Sequence, residues 1–219
     1  MIKTYKLLLS ELNNYSNPKT KIQRMVKNKE LYYITKGLYE TDSHVNPFFL
    51  ADPIYSPSYI SFETALSHYG LIPERVYAIT CATFDKRKKK AFNTDFGLYM
   101  YRDVPKKVFS QAVNIVSQAG YTYKIATKEK ALCDKLYSFS KINNMKEMRE
   151  VLFEDLRINE IVLDTFDCDI VNELSGLYHS RNVSLFAKML TKGKLYDWFY
   201  NRFNKDVFIG TLDYLKKKE

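Results

Sequence analysis

The chain has 219 residues, 46% hydrophobic and 27% charged, which excludes a disordered chain and leaves room for one large domain or a small one plus a medium one. Its net charge of +9 suits either a polyanionic partner or a merely soluble surface. Three scattered cysteines, Cys81, Cys133 and Cys168, with no CxxC and no nearby His, exclude a zinc pattern and point to a reducing compartment.

The opening MIKTYKLLLSELNNYS has an apolar run of only three residues, too short for a signal peptide or a membrane span, so a cytoplasmic protein is expected. Residues 3–13 read as a helix, because Tyr5, Leu8, Leu9 and Leu12 make an i, i+3, i+4, i+7 stripe. NNYSNP breaks it, and Pro18 suits the first position of a new helix, PKTKIQRMVKNKE. There Ile22, Met25 and Val26 face one way, and Lys19, Lys21, Gln23, Arg24 and Lys27 cover much of the rest. Next, Leu31 to Thr35 alternate as a strand, Lys36-Gly37 turns, and Leu38 to Thr41 return. Helix, turn, basic helix and two-stranded ribbon outline a winged helix-turn-helix over residues 1–45, without a further helix ahead of the recognition helix.

Residues 42–57 contain Asp52-Pro53 and Ser56-Pro57 and read as a connector. A short helix follows in PSYISFETALSHYGLIPE. Ser61 is its expected N-cap and Glu63 lies in its first turn. Phe62, Ala65, Leu66 and Tyr69 form its inner face, and Gly70 and Pro73 stop it. VYAITCAT (76–83) reads as a buried strand and residues 85–90 as a charged turn. A second strand lies within 91–104, with Tyr99 and Tyr101 opposite Phe96, Leu98, Met100 and Arg102, and 121–127 is a third. Residues 127–140 form a helix capped by Thr127, its inner face marked by Ala131, Leu132, Leu136 and Phe139 together with Lys135. From 144 onward the pattern is helical, with breaks near Asn159, Cys168, Ser180 and Gly193. The expected fold class is α+β. A small N-terminal winged helix-turn-helix precedes a 46–219 domain that mixes strands and helices to about 140 and is helical after.

No nucleotide-binding, zinc-protease or serine-hydrolase motif is present. His68, on the polar side of its helix, reads as a catalytic candidate or a plain surface residue, and Asp167 and Asp169 as a Mg²⁺ pair or a helix cap. No constellation assembles a reaction, so no enzyme, cofactor or metal is expected. The basic helix is the stronger candidate. Lysines neutralise phosphates, Gln23 and Arg24 are residue types that read base edges, Thr20 can meet a phosphate or a thymine methyl, and Lys36 lies where a wing touches the backbone. The expected DNA-binding set is therefore Lys19, Thr20, Lys21, Gln23, Arg24, Lys27 and Lys36. The run Lys86 to Lys90 is either a second phosphate contact or a soluble hairpin tip guarding an edge. Residues 142–179 carry nine Asp/Glu against three Lys/Arg, an acidic stretch suited to a different, basic partner.

In combination, PSYISFETALSHYGLIPE, a strand, a lysine-rich turn, FGLYMYRDV and IATKEKALCDKLY resemble the AbiEi-type antitoxin family of type IV toxin–antitoxin systems. IQRMVKNKELYYITKGLYE is similar to that family's winged N-terminal module, and EDLRIN fits a subgroup of it. The resemblance runs from about residue 18 to 190. It implies a transcriptional repressor and antitoxin with double-stranded promoter DNA as one partner. The other implied partner is a nucleotidyltransferase-like toxin, which such an antitoxin counteracts without necessarily touching it. A single small module binds DNA weakly, so two copies on half-sites about 10 bp apart, or a multiple, are expected. The alternatives are a protein-interaction module that no longer binds DNA, or a nucleotide-acting enzyme using His68 or the paired aspartates.

Overall fold

The computed structural model describes residues 1–158 and 160–191. Gly193 and the lysines at 216–218 lie outside the described residues. The fold is mixed α+β, and the chain divides into two compact units, Met1–Ser138 and Phe139–Glu219.

The first unit opens with strand β1 (Ile2–Thr4), which runs straight into helix α1 (Tyr5–Glu11). The strand was hidden because it is only three residues long and its last one, Thr4, caps the helix, its Oγ1 accepting from the Leu7 amide at 3.2 Å. Helix α2 (Pro18–Lys27) follows, then β2 (Tyr32–Thr35) and β3 (Leu38–Glu40). Asn17 caps α2 and Pro18 sits where a missing amide costs nothing. The helix ends at Lys27 instead of running to residue 30, because Lys29 turns left-handed at φ 58° and the Glu30 amide returns to the Met25 carbonyl at 2.9 Å. The three strands pair antiparallel in the order β1-β3-β2. Leu8, Ile22 and Leu31 are buried together beneath the two helices, with Tyr5, Leu9, Leu12, Met25, Val26 and Tyr39 packed around them. The apolar stripes expected of both helices are those that meet.

The expected connector is helical in its middle. A 3₁₀ turn (Pro47–Leu50) leads into helix α3 (Ala51–Ile54), with Asn46 accepting from the Phe48 amide. Phe49, Leu50, Ala51 and Ile54 are buried. A run of adjacent apolar residues has no helical period to read, but it supplies the area that holds such short turns in place.

A six-stranded sheet follows, in the order β6-β7-β5-β4-β9-β8. Its strands are β4 (Tyr59–Ile60), β5 (Ala78–Thr83), β6 (Lys90–Thr94), β7 (Gly97–Asp103), β8 (Val113–Gln118) and β9 (Tyr121–Ala126). The β4/β9 and β5/β7 pairs are parallel and the others antiparallel. Tyr99 and Tyr101 are fully buried, and their hydroxyls donate to the Pro47 and Ala51 carbonyls at 2.8 and 2.6 Å. The alternation along β7 thus fixes which face carries the 47–54 segment.

Helix α4 (Phe62–His68) comes between β4 and β5, and helix α5 (Lys128–Tyr137) after β9, capped as expected by Thr127. At the end of α4 the Gly70 amide donates to Ser67 O and the Leu71 amide to Leu66 O, with Gly70 at φ 67°. This is the glycine stop expected from sequence.

The second unit is helical: α6 (Met145–Glu150) passes into a wider π turn (Val151–Asp155), then come α7 (Glu160–Leu163), α8 (Cys168–Tyr178) and α9 at 181–191. Asn182 ties α9 to the segment ahead of α6, accepting from the Ile142 amide at 2.9 Å and donating to the Ser140 carbonyl at 3.0 Å. Leu152, Phe166, Val171, Leu174 and Phe186 are buried within this unit.

Candidate nucleic-acid interface

Helix α2 carries four cations and no acid over its ten residues. Its apolar side is taken by Ile22, Met25 and Val26, so the remaining arc must face outward. Lys19, Gln23 and Lys27 follow one another at i+4 spacing, Arg24 lies beside them, and all four are exposed. Lys19, Arg24 and Lys27 make no ion pair among the described residues. Thr20 and Lys21 are half-buried. Lys21 turns aside, its Nζ 5.6 Å from the Tyr15 ring and 4.0 Å from Glu30 Oε2. The expected set therefore separates into an outward row of Lys19, Gln23, Arg24 and Lys27 and a flanking pair.

Lys36 is exposed at the β2–β3 turn. The turn is held by Gly37 at φ 79°, whose carbonyl accepts from the Tyr5 amide at 2.8 Å, so the ribbon tip is pinned to the start of α1. The ribbon's other edge is also engaged. The Tyr33 amide donates to Asp95 Oδ2 at 3.1 Å, and the Tyr32 and Phe96 rings meet edge-on at 6.0 Å. The Tyr121 hydroxyl donates to the buried Glu40 carboxylate at 3.1 Å. Burial, then that hydrogen bond and the charge beside it, pushes the Tyr121 hydroxyl up to about 12. The outward row is thus mounted on a support braced against the sheet at two places.

The basic run at 86–90 is split by the fold. Lys86 Nζ donates to the Ser56 carbonyl at 2.9 Å and lies 4.8 Å over the Tyr55 ring. Lys90 begins β6, which the sequence reading assigned to the turn. Arg87, Lys88 and Lys89 are exposed.

Helix α4 departs from expectation at its start. Ser61 precedes the helix but makes no cap bond. Its Oγ donates instead to Asp134 Oδ2 at 2.6 Å, beside the Tyr59 hydroxyl at 2.9 Å, while Lys130 Nζ bonds Asp134 Oδ1 at 2.9 Å. Ser61, Lys130 and Asp134 are wholly buried and Tyr59 nearly so. Burial and, secondarily, the Asp134 charge push the Tyr59 hydroxyl well above its ordinary value. Thr64 is buried and bonds β5 through the Ala78 carbonyl and the Thr80 amide. This network is sealed from solvent, so its work is structural. The sequence did hold a signal for it, a Lys and an Asp at i, i+4 in a helix rich in apolar residues.

Glu63 bridges elements more than it serves the helix end. Lys135 Nζ lies 2.6 Å and Arg102 3.2 Å from its Oε1. Burial alone would raise this carboxyl, but the Lys135 hydrogen bond, the local backbone and the two positive charges outweigh it and hold it below its ordinary value. A depressed carboxyl stabilises the fold above its unfolded pKa and loses that contribution as pH falls through the folded one. The denaturation midpoint of the parent should therefore exceed that of Glu63→Gln near about pH 7, and the two should converge toward about pH 3. A constant gap across that range would show that the bridge is not ionic in effect.

Each enzyme candidate has its own surroundings. His68 is exposed, its ring against Phe48 and Tyr69. Asp167 Oδ1 accepts from the Asp169 and Ile170 amides at 2.8 and 3.3 Å, so it caps α8. Burial raises the thiols of Cys81 and Cys133, which disfavours their thiolates. Among the described residues no group of three or more His, Cys, Asp or Glu is placed to hold a metal, and no helix is long and apolar enough to cross a membrane. No family model matches the chain, and no curated protein matches it.

Proposed function

We propose that the protein is a non-catalytic DNA-binding regulator, a repressor-antitoxin of the AbiEi type, with α2 as its recognition helix. The observation that carries this reading is the outward row Lys19, Gln23, Arg24 and Lys27, two base-reading residue types set among cations that make no ion pair among the described residues, on one face of a capped helix. The connectivity supports it. The order β1-α1-α2-β2-β3, with β1 paired to β3, is compatible with a winged helix-turn-helix whose first strand is β1. α1 then braces α2, and Lys36 stands at the wing. The acidic stretch supports a second, basic partner, because Glu150, Glu154, Asp155, Asp164 and Glu173 are all exposed on the helical unit. The proposed toxin partner is of the nucleotidyltransferase-like kind.

The deciding experiment is binding of the purified full chain to DNA from upstream of its own gene, against scrambled DNA, at two salt concentrations. Selective binding that weakens with salt is the expected result. Equal, weak binding to both DNAs would reduce the basic face to a solvated surface and overturn the repressor reading.

A further inference from the structure

A separate basic feature lies at the other end of β6 from its turn into β7. Beside the loop at 84–89 lies an open cleft of about 340 Å³ lined by Arg87, Lys88, Lys89, Arg102, Asp103, Tyr137 and Ser138. We propose that this cleft binds a nucleoside polyphosphate.

The loop is held in one shape. Asp85 and Arg87 are both left-handed, at φ 55° and 58°, a conformation that non-glycine residues adopt only when their surroundings fix it. The Arg87 amide donates to Asp103 Oδ2 at 2.6 Å, and Lys86 is anchored on Ser56 and Tyr55. A soluble hairpin tip needs none of these restraints. Their consequence is that Arg87, Lys88 and Lys89 line the wall of a concavity. None of the three makes an ion pair among the described residues, whereas Arg102 is already bound to Glu63. Three adjacent unpaired cations along one wall match a di- or triphosphate. Tyr137, 39% exposed, gives the cleft an aromatic wall on which a base can stack. The volume is at the small end of ligand sites, the size of one nucleotide.

The test is calorimetric titration of the full chain with ATP, GTP, inorganic tripolyphosphate and adenosine. Two variants accompany it, the combined Arg87→Gln, Lys88→Gln, Lys89→Gln protein and Tyr137→Ala. A nucleoside triphosphate should bind about tenfold or more tighter than tripolyphosphate, the worth of one stacked base. The loop variant should lose about tenfold or more of that affinity, and Tyr137→Ala should erase the advantage over tripolyphosphate. Arg24→Ala should leave nucleotide binding unchanged, which separates this site from the DNA-binding face. No heat from either nucleotide up to about 1 mM overturns the proposal. So does equal affinity for tripolyphosphate, which would make the cleft a plain anion patch, and so does a loop variant that binds as the parent does.

Discussion

Asp134→Ala is expected to destabilise the protein by about 3–5 kcal/mol, the cost of leaving a buried charge without its counter-charge. Lys130 is wholly buried and its ammonium lies 2.9 Å from the carboxylate that would be lost. The Tyr59 and Ser61 hydroxyls would lose the same acceptor. The effect should spread, because Ser61 also fixes the chain at a strained point. Phe62, fully buried, is left-handed at φ 53°, a conformation that costs a bulky residue about 1–3 kcal/mol. It is held there by the Ser61 amide on the Thr80 carbonyl at 3.0 Å and by Thr80 Oγ1 on the Ser61 carbonyl at 2.7 Å. Removing Asp134 takes away the third restraint on Ser61 and lets the strain relax toward disorder at the start of α4. The combined Lys130→Met, Asp134→Leu variant should recover most of the loss, since replacing a buried ion pair by apolar groups of similar volume is often neutral. Urea midpoints for the parent, the single and the double variant decide it. A single variant within about 1 kcal/mol of the parent would show that Lys130 has found solvent or another partner, and the network would then not be what joins α5 to β4.

The contrast between α2 and this network shows what periodicity can and cannot reveal. In α2 one side is apolar and the other wet, so Ile22, Met25 and Val26 announce the buried face and everything else is surface by elimination. Helix α5 is buried on nearly every side, Glu129, Lys130 and Asp134 included, so no wet face sets its buried polar residues apart in the sequence. The same limit hid the edge strands. In β8 only Val113 and Val116 are even half-buried, and Asn114, Ile115, Ser117 and Gln118 are exposed, so hydrophobic alternation had little to register. The interior strand β5, where Cys81, Ala82 and Thr83 are covered, was legible at once. Ser61 was assigned to the cap because it stands where a cap stands. Only the tertiary fold brings Asp134, 73 residues away in sequence, within reach of its hydroxyl.

Under the proposed repressor function, Arg24→Ala is expected to weaken binding to the DNA upstream of the protein's own gene by about 1–3 kcal/mol, roughly 5- to 150-fold, while leaving non-specific binding nearly unchanged. Arg24 is exposed on the outward face of α2 with no carboxylate to neutralise it among the described residues, so its truncation should not unfold the helix. Its planar fork can engage a guanine edge at two points, which a lysine at the same place cannot copy. Replacing Lys19, Lys27 and Lys36 by Ala should act differently. Each removes a phosphate contact, so affinity should fall on every sequence alike and the slope of log affinity against log salt should shrink by about one per contact. The two behaviours are separable in one experiment that titrates cognate and scrambled DNA between about 50 and 200 mM salt with each variant. Loss of discrimination in Arg24→Ala with an unaltered slope, beside a shallower slope and intact discrimination in the lysine variant, places the helix in the major groove with its lysines on the backbone. If Arg24→Ala leaves both affinity and discrimination as they were, α2 is not the reading helix. The cations of α2 would then be a solvated face, and the search for a partner would move to the acidic surface of the helical unit.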